Sequence, residues 1–379
     1  MNTLEIRNQK IIDAVLEKEK AVCPGAIALI GIYGSFQTGD IHPYSDLDLL
    51  ILINDDRGWQ LGTAFIQDDL GIGHDIYCTN WEWLRQDACF EHPHISKLMD
   101  SRIVYCADEK YMAELEKLRE QVRLRLSAPF GEADCQKAEK ALKEALQSYA
   151  CAMTAENPGE IRRQAGNVIY FTENAVAMLN KAYFRKGVKQ RFEELNAMEK
   201  RPRELCEMIG NIVSADTVGG LKEHLTLLVR ETKACVDREK QSLRRAGTTA
   251  GAEALKGTFE EMFSNWHGKM YLAAETGSRY LAFMSLVSLN EMLCDIGRET
   301  DIETYDVLSV YDPDDLKKTA KGFDAVLQHY LVEYRKAGLK ENRYPDIDAF
   351  LSDYLSSRPQ TGPEEVSCGI TSPMIPEET

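Results

Sequence analysis

Residues 31–53 read GIYGSFQTGDIHPYSDLDLLILI, and this stretch decides how the rest of the chain is read. Its approach, from Ala26 to Tyr33, is apolar and β-prone, which predicts a strand ending in a tight turn at Gly34-Ser35. A polar loop follows from Phe36 to Ser45, and the apolar run Leu49–Ile53 predicts a second, buried strand. Asp46 and Asp48 lie two apart at its start. Strand side chains repeat every second residue, so both carboxylates are expected on one face of the sheet. Two acids held side by side repel one another unless a divalent metal or a shared proton lies between them. A glycine turn beside them lets a backbone N–H and the Ser35 hydroxyl come close to a phosphate. Strand, turn, paired acids and strand together describe metal-dependent phosphoryl or nucleotidyl transfer.

The spacing also resembles a known signature. Gly34-Ser35, ten intervening residues, then Asp46-Leu47-Asp48 resembles the motif of the polymerase-β-type nucleotidyltransferase superfamily. The string as a whole is similar to its small bacterial branch, which includes aminoglycoside and lincosamide nucleotidyltransferases. The resemblance implies a third carboxylate on a neighbouring strand, and Asp75 within Gly73-His74-Asp75-Ile76-Tyr77 has that setting. It covers about the first hundred residues and bears on the chemistry more than on the substrate. One departure stands out. Relatives often carry a basic residue shortly after the Gly-Ser, whereas Phe36-Gln37-Thr38 follows here, so part of the triphosphate grip has to come from elsewhere.

At 379 residues the chain suits two or three domains. It has no apolar run long enough for a transmembrane helix, and its polar N-terminus opens an amphipathic pattern unlike a signal peptide. Ten scattered cysteines without a Cys-x-x-Cys pair predict reduced thiols, a cytoplasmic setting and no structural zinc. The net charge of −16 disfavours a nucleic-acid backbone as partner. The charge is uneven: residues 1–108 hold 8 Lys and Arg against 17 Asp and Glu, and residues 135–245 hold 20 against 15. An acidic catalytic half facing a basic segment suits a cleft where metal and triphosphate meet.

The expected fold class is α+β: an N-terminal nucleotidyltransferase mixed β-sheet with flanking helices, then C-terminal helical domains. The boundaries read from the sequence are residues 1–108 for the catalytic domain, 109–245 for a helical domain forming the far wall of the cleft, 246–357 for a second helical region, and 358–379 for a disordered tail. Thr3 to Ala21 predicts an amphipathic helix covering the sheet. A short helix or irregular segment is expected up to Asp69, a third strand from Ile72 to Cys78, a helix capped by Thr79, and an edge strand at Arg102–Cys106. Ala246–Gly251 is small and flexible, a boundary between two helical parts. Phe259, Phe263, Trp266, Tyr271, Tyr280 and Phe283 are expected in a core, and Asp312 as the cap of a helix with Pro313 in its first position.

His42 and His74 are expected at the surface, and Cys89, His92 and His94 lack a fourth ligand that would make them a metal site. Arg163, Asn167, Tyr170 and Asn174 form a polar stripe at helical spacing, flanked by Glu173 and followed by Lys181, Arg185, Lys186 and Lys189. This is either an exposed helix face or the wall of the pocket. The resemblance implies an enzyme that moves a nucleoside monophosphate, AMP from ATP or its counterpart from another nucleoside triphosphate, onto a hydroxyl of a small molecule. Asp46, Asp48 and Asp75 are the expected ligands of one or two Mg2+ ions, Asp75 also the proton acceptor, and Gly34 and Ser35 the phosphate grip. The acidic cleft would favour a polycationic, aminoglycoside-like acceptor. Two alternatives stay open: a protein-adenylylating enzyme of toxin–antitoxin type, and a nucleotide-binding regulator without transfer activity.

Overall fold

The structure is a computed structural model, described for residues 3–245, 252–300, 302 and 305–356. The chain divides into two compact units, residues 1–247 and 248–379. Its architecture is α+β. The linker Ala246–Gly251 and the tail 358–379 lie outside the described residues.

In the first unit, helix α1 (Thr3–Val22) precedes strand β1 (Ile27–Ile32). Strand β2 (Leu49–Ile53) runs antiparallel to it, pairing Ile30 with Ile51 and Ile32 with Leu49. Strand β5 (Cys78–Asn80) lies parallel to β2, and β6 (Arg102–Cys106) closes the other edge, giving the order β5-β2-β1-β6. Every residue of β1 and β2 is buried, the pattern of strands covered on both faces. The alternation in β2 shows how. Leu49, Ile51 and Ile53 pack with Ile12 and Val15 of α1. Leu50 and Leu52 face a second core that includes Leu84 of helix α2 (Trp81–Ala88) and Leu115, Leu118 and Val122 of helix α3 (Glu109–Ser127). Each such side chain contributes roughly 1.5–3 kcal/mol of hydrophobic stabilisation. That second core continues without a break into helices α4 (Glu132–Thr154), α5 (Pro158–Leu179) and α6 (Val218–Arg245) through Leu142, Met178, Leu179 and Val236.

Several local expectations are corrected. Ser35–Thr38 is a short helical turn, so the loop after Gly34 does not begin at Phe36. Residues 63–67, expected to be helical or irregular, form strand β3 (Thr63–Gln67), and the expected third strand splits at Tyr77 into β4 (Ile72–Ile76) and β5. Strands β3 and β4 make a separate antiparallel ribbon. Because β3 is exposed almost throughout, it carries no apolar/polar alternation to give it away. Asn80 rather than Thr79 caps α2, accepting from the Trp83 N–H at 2.9 Å. Thr79 is buried instead.

The second unit is helical, with its own core of Phe259, Met262, Leu286, Leu289, Phe323, Leu327 and Tyr330. Phe263, Tyr271 and Phe283, expected in that core, are exposed over about two-fifths of their surface, and Tyr280 over 78%. Asp315 caps the helix Leu316–Lys336. Asp312 closes the turn before it, accepting from the Asp314 and Asp315 N–H groups.

Candidate active site

The site begins where β1 ends. The Tyr33 N–H donates to the Asp48 carbonyl at 3.1 Å, which holds the two strands together up to the turn. Gly34 then adopts φ 64° and ψ −149°, a conformation open to glycine alone. Space demands glycine here as well, since a Cβ on Gly34 would fall 1.9 Å from the Asp48 Oδ2. The Ser35 N–H faces the Asp48 carboxylate and favours its charged form. Gly34 and Ser35 thus form the bed on which Asp48 lies.

Asp46-Leu47-Asp48 is extended, and the alternation holds: Leu47 is buried while both acids are half-exposed. Burial, and after it the charge of Asp46, pushes the Asp48 carboxyl up to about 6. Neither acid has an ion-pair partner among the described residues, and the ammonium whose charge reaches Asp48, that of Lys189, lies 3.6 Å from Asp40 Oδ2. Asp75 is on β4, paired in register with Ala64 on the solvent-facing side of the ribbon. Asp75 and Asp46 line one cavity of about 350 Å³ with His74, Phe65 and Ile66.

Among the described residues no group of three or more His, Cys, Asp or Glu side chains is arranged to hold a metal ion. Asp46 and Asp48 are the two carboxylates here that could hold one. Two carboxylates without an ion-pair partner among the described residues, one with its pKa raised by burial and by its neighbour, suit a hard divalent cation such as Mg2+, which takes one or two protein carboxylates and fills its sphere with phosphate oxygens and water.

Four neighbours of the acids were missed by the sequence reading. His74, expected at the surface, is 3% exposed. It hydrogen-bonds Gln67 Oε1 at 3.2 Å and stacks on Phe65 at 4.8 Å. Burial first, and then the Arg7 charge, lower its pKa, so the imidazole is neutral. His42 bears out as half-exposed, its Nδ1 accepting from the Tyr44 N–H at 3.1 Å. Tyr33 and Tyr77 join hydroxyls at 2.5 Å, and both feel the charge of Asp48. Arg7, on α1, feels Asp46. A period-two pattern marks Asp75 and leaves the inward turn of His74 hidden, and no spacing ties residue 7 to residue 46.

With this geometry in view, residues 9–149 match the sequence model of the nucleotidyltransferase domain family. This part of the chain is a polymerase-β-type nucleotidyltransferase domain. The chain is accordingly an enzyme of the nucleotidyltransferase class. Among solved structures it is similar to a nucleotidyltransferase-like protein from Exiguobacterium sibiricum 255-15, at 12% identity over 76% of this chain and 91% of that one, with a TM-score of 0.34. Comparison with curated proteins gives no match.

Facing the nucleotidyltransferase domain, the helical part of the same unit brings Arg185, Lys186, Glu193 and Glu194 opposite Gln37, Thr38 and Asp100 around a cavity of about 610 Å³. The sequence stripe divides in two. Arg163 pairs with Glu160 at 2.6 Å, an exposed contact within the helix. Tyr170 and Asn174 receive His94, which stacks on the first at 5.0 Å and hydrogen-bonds the second at 2.9 Å. Glu173, pushed up to about 7 by burial, lies 3.3 Å from Arg191. Lys181 turns away to the Ala128 carbonyl.

Two outcomes follow for the nucleotidyltransferase domain. Gly34→Ala should destabilise the fold by about 1–3 kcal/mol, displace Asp48 and lower nucleotidyl transfer, as read by the urea midpoint and turnover. Asp48 has its folded-state pKa raised, so the folded state holds a proton the unfolded chain releases, and stability falls as pH rises from the ordinary carboxylate range through about 6. Asp48→Asn removes that penalty. In chelator, its Tm should exceed that of the parent above pH of about 6, and the gain should vanish toward pH of about 4.

Proposed function

We propose that the enzyme transfers a nucleoside monophosphate, AMP from ATP, to a hydroxyl of a small molecule. The observation that carries this is the Asp46–Asp48 pair, without an ion-pair partner among the described residues, lying against Gly34 and Ser35. The acceptor oxygen attacks the α-phosphorus, the new P–O bond replaces the bond to the β-phosphate oxygen, and pyrophosphate leaves. Asp46 and Asp48 would hold one or two Mg2+ ions, which when bound neutralise phosphate charge and acidify the attacking hydroxyl. The Ser35 hydroxyl and the backbone at Gly34 hold the outer phosphates. Asp75, in the cavity it shares with Asp46, takes the acceptor proton.

The acceptor side is supported by charge. The formal net charge of −16 favours a cationic small molecule, aminoglycoside-like, over a nucleic acid. Near the larger cavity the acids are already matched, Asp100 with Arg185 at 3.2 Å and Glu193 with Lys186 at 2.9 Å. A polycation there is drawn by long-range attraction and exchanges with these partners. A cytoplasmic setting accords with the cysteines among the described residues, all of them free thiols. No helix among the described residues is long and apolar enough to cross a membrane.

A second reading, transfer to a protein hydroxyl, draws on β3. Its residues Ala64, Phe65 and Ile66 border the cavity of Asp46 and Asp75, and Ile66 is 74% exposed. One edge of β3 pairs with β4, and an exposed strand of this kind can receive an extended peptide.

Asp46→Asn and Asp48→Asn should each lower magnesium-dependent transfer by about 10³-fold or more while leaving the fold intact. Pyrophosphate release measured over aminoglycosides, lincosamides and other polyols checks this, and unchanged turnover in either variant refutes the metal assignment. Labelled ATP in a cell lysate separates the two acceptors: label on a small molecule supports the first, label on protein the second.

A further inference from the structure

Arg7 lies outside the span that matches the nucleotidyltransferase family, near the start of α1, yet its charge acts on Asp46. Helix α1 is anchored on the sheet by Ile12 and Val15. From that base the Arg7 guanidinium makes a two-sided grip. Nε and Nη2 donate to Asn8 Oδ1 at 3.0 and 2.9 Å, and Nη2 also donates to the Ser45 carbonyl at 3.2 Å. Both partners are buried, Asn8 to 5% exposure and Ser45 to 3%. Ser45 itself ends a tight turn: its N–H donates to the His42 carbonyl at 2.9 Å, and its Oγ accepts from the His42 N–H at 3.0 Å. The next residue is Asp46. On its other side the guanidinium lies 5.9 Å from the ring of Phe36, the residue that follows Gly34-Ser35. Nη1 is covered and has no hydrogen-bond partner among the described residues. With Nη1 covered and Nε and Nη2 already donating within the fold, its effect passes through the backbone it holds.

We infer that Arg7 is a positioning residue: its planar fork, held by Asn8, fixes the Ser45 carbonyl and with it the direction in which Asp46 leaves the turn. The inference rests on the two-carboxylate reading of the site. It gives α1 a role beyond covering the sheet, and it places that role in geometry more than in charge. The two contributions have opposite signs. A cation beside Asp46 repels a metal ion, so charge alone predicts that removing Arg7 tightens metal binding. Loss of positioning predicts that binding weakens.

The test is Mn2+ binding to the full chain, followed by electron paramagnetic resonance, beside pyrophosphate release from ATP with glycerol as the acceptor. Arg7→Met and Arg7→Lys should both weaken Mn2+ binding about 10-fold and lower kcat about 10–100-fold, with KM for ATP within about twofold of the parent. Lysine should fail because a single ammonium does not reproduce the planar fork. Asn8→Ala, which leaves the guanidinium in place but releases it, should show a smaller loss of the same kind and keeps the test open should Arg7→Met fold poorly. Tighter Mn2+ binding in Arg7→Met, or full activity in Arg7→Lys, overturns the inference alone. An Asp46→Asn protein that binds Mn2+ and turns over like the parent overturns the two-carboxylate reading and the Arg7 inference with it.

Discussion

Two carboxylates forced together at the mouth of a buried strand are the constraint on which the rest depends. Asp46 and Asp48 are separated by one residue, and that residue, Leu47, is buried. With Leu47 locked into the core, neither acid can rotate away without extracting an apolar side chain, a cost of about 1.5–3 kcal/mol before any repacking. The repulsion therefore cannot relax by movement, and it shows instead in the Asp48 carboxyl, pushed up to about 6 by burial and by Asp46. With no ion-pair partner among the described residues, this pair is the feature on which the proposed cation site rests.

The rigidity has a source further down the chain. Strand β2 is buried on both faces, its odd-numbered residues against α1 and its even-numbered ones against α2 and α3. Parallel pairing with β5 then fixes the level of Tyr77, and antiparallel pairing with β1 fixes Tyr33, whose hydroxyls meet at 2.5 Å beside the acids. The core on the helical side runs on into α4, α5 and α6, and the segment that carries Arg185, Lys186 and Glu194 packs Phe184 and Leu195 into a further core on the same three helices. The cleft has walls of fixed spacing because helices α4, α5 and α6 contribute to both cores.

Much of this was legible in the sequence, for reasons that are local. Residues 27–32 and 49–53 announce themselves as buried strands because both faces are apolar, and Gly34 is marked by the turn that must follow. Asp46 and Asp48 are legible because acids flanking a buried leucine at a strand mouth have few structural uses. What escaped is what depends on a distant surface. Strand β3 has no face to bury and therefore no period to detect. His74 and Asp75 are neighbours on one strand, so one must turn inward, and the sequence gives no sign of which. The structure sends the imidazole in, against Phe65, and leaves the carboxylate out. Tyr280 and Phe283 follow the spacing of core residues on a helix whose buried stripe is supplied by Ala282, Leu286, Leu289 and Leu293 instead.

Arg7 is the extreme case of this limit and shows where the motif stops explaining the site. The chain has replaced the basic residue expected after Gly34-Ser35 by Phe36, and a guanidinium from α1 lies over that phenylalanine. The positive charge is still near the acids, but it approaches from behind, through the Ser45 carbonyl, where it can shape Asp46 and not touch a phosphate. The cations on the open side are those of the helical wall, with Lys189 held at Asp40 and Arg185 and Lys186 around the larger cavity. The two kinds of positive charge therefore divide the work by position. One belongs to α1 and orients a carboxylate; the others stand across the cleft, paired with Asp100, Glu193 and Asp40. A motif scan counts only the loss after Gly34-Ser35, because the compensation comes from residues that sequence distance separates and packing brings together.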